Sequence, residues 1–215
     1  MIMELADKKE RLVSSLKQSG YIRSKEVEEA FLRISREFFV PPSLTQYAYE
    51  DRPLDIGEGQ TISAPHMVAL MTEALDVKLG QTVLEIGSGS GYHAAVISAL
   101  IGSNGQLHSI ERIPRLAENA EKNLKTESIT NVIIRIGDGS LGLPDHSPFD
   151  RIYVTCAAPY VPQPLIDQLI EGGKLLIPIG RVYCELTCIE KKNEEIISQD
   201  LGGCTFVPLI GRHGF

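Results

Sequence analysis

A short apolar run, Thr82-Val-Leu-Glu-Ile86, breaks into three alternating glycines, Gly87, Gly89 and Gly91, and then into an apolar stretch from Tyr92 to Ile101. A run that short, stopped by glycine, reads as a buried strand, and the longer stretch after it reads as a helix. Strand, tight turn and helix in immediate succession open a βαβ unit. The alternation then continues. Residues 106–110, 131–136, 149–155 and 174–179 read as strands. Residues 114–125 read as a helix with Pro114 in its first turn, and residues 164–170 as a helix between the last two strands. This order predicts an α/β fold with a doubly wound, mostly parallel sheet and helices on both faces. Segments 185–190, 196–201 and 205–209 are strand-like and joined by short turns containing Gly or Asn, which predicts an antiparallel C-terminal edge.

The first part of the chain follows a different rule. Val27, Ala30, Phe31 and Ile34 recur at helical spacing behind Ser24, a candidate N-cap. Gly20 is expected to end the preceding helix, and Pro41 and Pro42 to stop this one. Residues 43–62 carry Pro53, Gly57 and Gly59 without strong periodicity and read as a long loop, a feature that compact domains keep for function. At 215 residues the chain is expected to form one domain, 1–215. N-terminal helices and a substrate-side loop occupy 1–62, and the sheet core with its C-terminal strands occupies 63–215.

Open α/β sheets bind ligands beyond the carboxyl ends of their strands, where the glycine turn lies. Glycine lets a ligand approach the backbone without a Cβ in the way. The dinucleotide pattern Gly-x-Gly-x-x-Gly is not met, because the third glycine comes one residue early and Tyr92 fills its place. A pyrophosphate cradle is therefore not expected. Glu111 lies 111 − 91 = 20 residues beyond Gly91, at the end of the second core strand, where a carboxylate accepts from both ribose hydroxyls. Asp138, after the third strand, is placed to accept from the exocyclic amine of adenine. Each acid alone would read as a solvated loop carboxylate; three matching sites on consecutive strand ends argue for an adenosine ligand without phosphates. S-adenosylmethionine fits, its charged amino-acid end meeting the glycine turn and Glu85.

Composition narrows the partners. Lys and Arg total 21 against 28 Asp and Glu, and a net charge of −7 argues against coating a nucleic-acid backbone. No stretch approaches the roughly 20 apolar residues of a membrane span, and the N-terminus is charged too early for a secretory signal. A cytoplasmic monomer is expected. Cys184 and Cys188 lie four apart, but neither Cys204 nor His213 completes a ligand set. Reduced thiols and no metal are expected.

At the glycine turn the sequence resembles Rossmann-like methyltransferases. Gly59-Gln-Thr-Ile-Ser-Ala-Pro-His-Met-Val68 narrows this to a resemblance to the protein-L-isoaspartate O-methyltransferase family. Phe39-Val-Pro41, Tyr47-Ala-Tyr-Glu-Asp51, Gly137-Asp-Gly139, Phe149-Asp150 with Val154 to Pro159, Gly172-Gly-Lys-Leu-Leu-Ile-Pro178 and Phe206-Val-Pro-Leu209 carry the same likeness, collinear over residues 38–209. Leu54-Asp55-Ile-Gly57 departs from the usual Leu-Pro-Ile-Gly, and Cys156 and Cys184 stand where alanine and glutamine are usual.

The resemblance implies methyl transfer from S-adenosylmethionine, leaving S-adenosylhomocysteine, to the free α-carboxylate of L-isoaspartyl residues in damaged proteins. It implies Ser63 as the active-site residue. Glu85, Gly87, Ser88, Gly89, Gly91, Glu111, Arg112, Gly137, Asp138 and Gly139 would hold the cofactor. Thr61, Ile62, Ala64, Pro65, His66, Val207, Pro208 and Leu209 would contact substrate. Ser63 also reads as the N-cap of a helix carrying Val68, Met71, Thr72 and Leu75, and His66 as a packing residue of its first turn.

Two other readings remain open at this level. A nucleic-acid methyltransferase could use Cys156 as a nucleophile, although such enzymes show Pro-Cys where this chain has Thr155-Cys156. A related enzyme acting on RNA or a small molecule belongs to the same class. The second reading is a catalytically silent binding module on the same fold, which the joint presence of Ser63, Glu85, Glu111 and Asp138 opposes.

Overall fold

The computed structural model describes residues 2–193 and 195–215. It opens with helices Ile2–Gln18 (α1) and Lys25–Arg33 (α2). Ser24 caps α2 as expected, its hydroxyl accepting from the Val27 N–H at 3.4 Å. The helix does not run to the proline pair. It ends at Arg33, with Ile34 in extended conformation, and the 3-10 turn Arg36–Phe39 follows. The chain turns inward there because Arg36 is fully buried.

Residues 43–62 are more ordered than the loop their sequence suggests. A 3-10 turn, Pro42–Tyr47, precedes an antiparallel hairpin of Leu54–Gly57 (β1) and Gln60–Ile62 (β2). Glu58 and Gly59 turn it with φ of 56° and 69°, the backbone sign that two-residue hairpin turns favour. Strands of four and three residues are too short to print a period on the sequence.

Helix Pro65–Leu75 (α3) leads into the core: Thr82–Ile86 (β3), Tyr92–Ile101 (α4), Gln106–Glu111 (β4), Pro114–Thr126 (α5), Val132–Ile136 (β5), Phe149–Val154 (β6), Gln163–Asp167 (α6), Leu169–Gly180 (β7), Cys184–Lys192 (β8) and Glu195–Cys204 (β9). The seven core strands lie in one sheet in the order β5-β4-β3-β6-β7-β8-β9. Pairing is parallel from β5 to β7 and antiparallel for β7–β8 and β8–β9. The fold is thus a mostly parallel, doubly wound α/β sheet with an antiparallel edge. Chain order reverses between β3 and β6, and a crevice opens at such a switch point. The glycine turn sits there.

Alternate β3 side chains serve opposite faces. Val83 packs with Met71 and Leu75 of α3 and Ala94 and Ile97 of α4. Leu84 and Ile86 pack with Ile152, Val154 and Leu165 on the other face. Helix α4 is apolar nearly all round because its outer side is covered too, by Phe31, Phe39 and the other N-terminal residues that pack on Tyr92 and Val96.

Two expectations need correction. The helix expected at 164–170 is only Gln163–Asp167, and Leu169 already begins β7, pairing with Phe149. Residues 205–209 form no ladder strand. They cross the carboxyl ends of the sheet and touch it by an isolated bridge from Pro208 to Ala157. Val207 O accepts from Ala157 N–H at 2.8 Å and Leu209 N–H donates to Ala157 O at 2.7 Å. The segment reads as a strand because Phe206 to Leu209 are all apolar, but it meets the sheet ends through Ala157 instead of joining the ladder.

Candidate active site

The glycine turn is shaped by contacts that tolerate no side chain. Gly87 has φ of +94°, and a Cβ there would lie 2.5 Å from Thr155 Oγ1. Gly91, with φ of 86°, is the N-cap of α4, and a Cβ would press on Ala120. Glu111, at the end of β4, locks the turn. One carboxylate oxygen accepts from Gly89 N–H and the other from Ile113 N–H, each at 3.0 Å. Each oxygen keeps a second lone pair. Glu111 is nearly buried and lines the crevice with Arg112 and Ile113.

Glu85 is fully buried below the turn. Its oxygens accept from the Ser109 hydroxyl and from Tyr153 Oη, the latter at 2.8 Å. Burial outweighs those two bonds, and with Glu111 nearby the carboxyl is pushed up to about 7. The folded protein therefore holds a proton that the unfolded chain releases near pH 4.5. Its contribution to stability is complete below that pH and is lost as pH rises through about 7. Glu85→Gln should flatten this decline, read as the denaturation midpoint between pH 4.5 and 7. A wild-type decline as steep in the variant would remove Glu85 as its source.

Ser88 completes the cradle. Its hydroxyl is buried against the crevice with no hydrogen-bond partner among the described residues. An orphan hydroxyl, spare carboxylate lone pairs and a backbone bare of Cβ atoms fit the polar amino-acid and ribose parts of S-adenosylmethionine.

Opposite the turn, Gln60, Thr61, Ile62 and Ser63 form the next wall, and Val207, Pro208, Leu209 and Ile210 a third. The crevice thus joins the glycine turn, the Gln-Thr-Ile-Ser arm and the crossing C-terminal segment. Ser63 is not a helix cap: Ala64 is the N-cap of α3, and no side chain caps it. Pro65 at N1 presets the first helical residue and needs no donor satisfied, so the serine is left facing the crevice. Ala64, Pro65 and His66 fall outside the lining. His66 Nδ1 and N–H both meet Asp51 Oδ1 at 2.9 Å, and its ring packs against Tyr21.

Asp138 is placed differently from its sequence reading. Its carboxylate accepts from Ser140 N–H at 2.9 Å, Ser140 Oγ at 2.7 Å and Arg212 N–H at 2.7 Å. It is not among the lining residues, nor is Gly137, whereas Gly139 is. Burial opposes ionisation of Asp138, but the bonds from Arg212 and Ser140 prevail and hold it below its usual value. The acid fastens the C-terminal segment across the crevice. A Cβ on Gly211 would collide with it.

Tyr92, His93 and Thr155, which the sequence did not single out as site residues, also line the crevice, as does Cys156, the nucleophile of the rival reading. Burial drives His93 down to about 3, so it is a neutral imidazole bonded to Thr72 at 3.1 Å. Burial, helped by Glu111, pushes the Cys156 thiol far above the thiolate range. Among the described residues no cluster of three or more His, Cys, Asp or Glu could hold a metal, and no helix is long and apolar enough to cross a membrane.

The family model of protein-L-isoaspartate(D-aspartate) O-methyltransferase matches residues 7–214. The protein-L-isoaspartate O-methyltransferase of Methanococcus aeolicus is 51% identical over 208 residues, covering 97% of this chain and 96% of its own. A solved protein-L-isoaspartate O-methyltransferase superposes with a TM-score of 0.86 at 36% identity, over 96% of this chain and 67% of the other. A Plasmodium falciparum protein assigned to the same activity, solved in complex with S-adenosyl-L-homocysteine, gives 0.84 at 31% identity, over 94% of this chain and 98% of its own.

Proposed function

The chain belongs to the protein-L-isoaspartate(D-aspartate) O-methyltransferase family, and from that premise we propose how the crevice divides its labour: the glycine turn with Glu85, Ser88, Glu111 and Gly139 holds the cofactor, and Ser63 with its neighbours seats the substrate carboxylate. The enzyme is an S-adenosylmethionine-dependent methyltransferase acting on isoaspartyl residues of proteins. The observation that carries the assignment of roles is that one crevice joins Ser63 and the Gln60–Ser63 arm to the turn locked by Glu111.

When bound, S-adenosylmethionine supplies an already activated sulfonium methyl. The isoaspartyl α-carboxyl ionises at roughly 3.3–3.7, so the nucleophile is an anion at neutral pH and requires no base. Neutral His93 and protonated Cys156 are consistent with that economy. What remains for the chain is orientation and exclusion of water. Orientation alone can supply roughly 7–11 kcal/mol of barrier lowering. Ser63 Oγ orients the carboxylate, and Ile62, Val68, Leu209 and Ile210 keep the site dry. Asp138 acts at one remove, by fastening the segment that carries Leu209 and Ile210. Four free cysteines suit a reducing compartment such as the cytoplasm.

A nucleophilic-cysteine reading loses its footing, because a base-attacking thiol must ionise readily. Cys156→Ala should therefore still place methyl groups on an isoaspartyl peptide, within about threefold of the wild-type rate, as an ester that mild base removes. A loss beyond tenfold with the variant folded, or a base-stable label, would overturn the assignment.

A further inference from the structure

Arg36 is a buried cation with an unusual set of partners. It has no accessible surface, yet among the described residues no carboxylate lies within ion-pair distance of its guanidinium. Nε donates to Ala48 O and Nη2 to Ser63 O, each at 2.9 Å. The guanidinium stacks over the Tyr92 ring with its carbon 4.8 Å from the centroid. Nη1 is buried with no hydrogen-bond partner among the described residues. Tyr92 and Tyr49 act on it more strongly than Asp51, which lies beyond ion-pair range and is itself engaged by His66. Burial lowers Arg36 to about 10, which leaves it charged at neutral pH.

Burying a charge without a counter-ion is costly, and proteins pair such charges or put them to use. Both groups that Arg36 touches on the crevice side, Ser63 and Tyr92, line that crevice. The charge therefore stands directly behind the wall that receives the substrate. Low dielectric around it lets its field reach an anion there with little screening. Two carbonyls held by one rigid fork also fix Ser63 against Ala48, a geometry the single ammonium of lysine does not reproduce.

We propose that Arg36 is a positioning residue of this enzyme: its fork holds Ser63 in place, and its buried charge selects a substrate whose reacting group is anionic. This rests on the proposed seating of the isoaspartyl carboxylate at Ser63. Arg36 does not touch the reacting atoms; it acts through the Ser63 backbone and through space.

The test compares two peptides on the enzyme loaded with S-adenosylhomocysteine, so that no turnover intervenes. One carries isoaspartate, and the other is its neutral twin with the α-carboxylate replaced by carboxamide. Wild type should bind the carboxylate peptide more tightly. Arg36→Met should weaken that peptide about tenfold or more and change the carboxamide twin less than about threefold, with cofactor affinity unchanged. A purely structural residue would weaken both peptides alike, and that outcome, or no change in either, overturns the proposal. Arg36→Lys covers the case in which the methionine variant does not fold. It should keep the carboxylate preference and lose at least about fivefold in turnover; lost preference or wild-type turnover in folded Arg36→Lys overturns the proposal as well. If wild type itself does not prefer the carboxylate peptide, the seating of substrate at Ser63 fails instead.

Discussion

Ser63→Ala is expected to lower turnover at saturating substrate by on the order of a hundredfold, while cofactor affinity and thermal stability stay near wild type. The magnitude follows from orientation: misplacing a reacting group by about 1 Å costs roughly that factor. The near-constant stability follows from structure. Had Ser63 been the helix cap its sequence suggests, its loss would cost about 0.5–2 kcal/mol. The cap is Ala64, however, and α3 has no side-chain cap bond to lose. Ser63→Thr sharpens the comparison. It keeps the oxygen but adds a methyl group at the crevice wall, so reduced turnover with unchanged melting is expected. Rates measured at matched folded concentration decide the matter, and full turnover in Ser63→Ala removes the serine from the reaction.

The second large effect is on the cofactor. Glu111→Ala should weaken S-adenosylmethionine by about 1.5–3 kcal/mol, the range for hydrogen bonds to a charged group. That is roughly tenfold or more in dissociation constant. The carboxylate has a double task, since it accepts from Gly89 and Ile113 N–H groups, lines the crevice and keeps lone pairs to spare. Glu111→Gln retains one acceptor oxygen and should lose less than alanine does. Calorimetry on folded variants checks both, and an unchanged constant in Glu111→Ala would take this residue out of the cofactor site.

Features of this chain are legible in its sequence where their causes are local. The glycine turn was legible because its cause lies within one strand–turn–helix unit, 82–101. Glu111 was legible because a fixed βαβ length sets its distance from Gly91. The hairpin 54–62 was not, since three- and four-residue strands carry too few alternations. Segment 205–209 is apolar like a buried strand, yet it lies across the sheet ends and meets them by an isolated bridge to Ala157.

Asp138 and Arg36 mark the larger gap. The Arg212 N–H that holds Asp138 lies 74 residues away in sequence. The carbonyls that hold Arg36 lie 12 and 27 residues away and belong to residues of any type. Backbone acceptors leave no trace in side-chain patterns. The same holds for His93 and Cys156, whose protonation states are set by burial that only the folded chain defines.

The most direct test of the central claim uses methyl-labelled S-adenosylmethionine and two peptides of identical sequence, one with L-isoaspartate and one with ordinary aspartate. The two differ in which carboxylate is free and in where the backbone runs, and so in whether an α-carboxylate can reach Ser63. Label should accumulate on the isoaspartyl peptide, be released by mild base, and be essentially absent from the aspartyl twin; equal labelling of the two peptides would contradict the account.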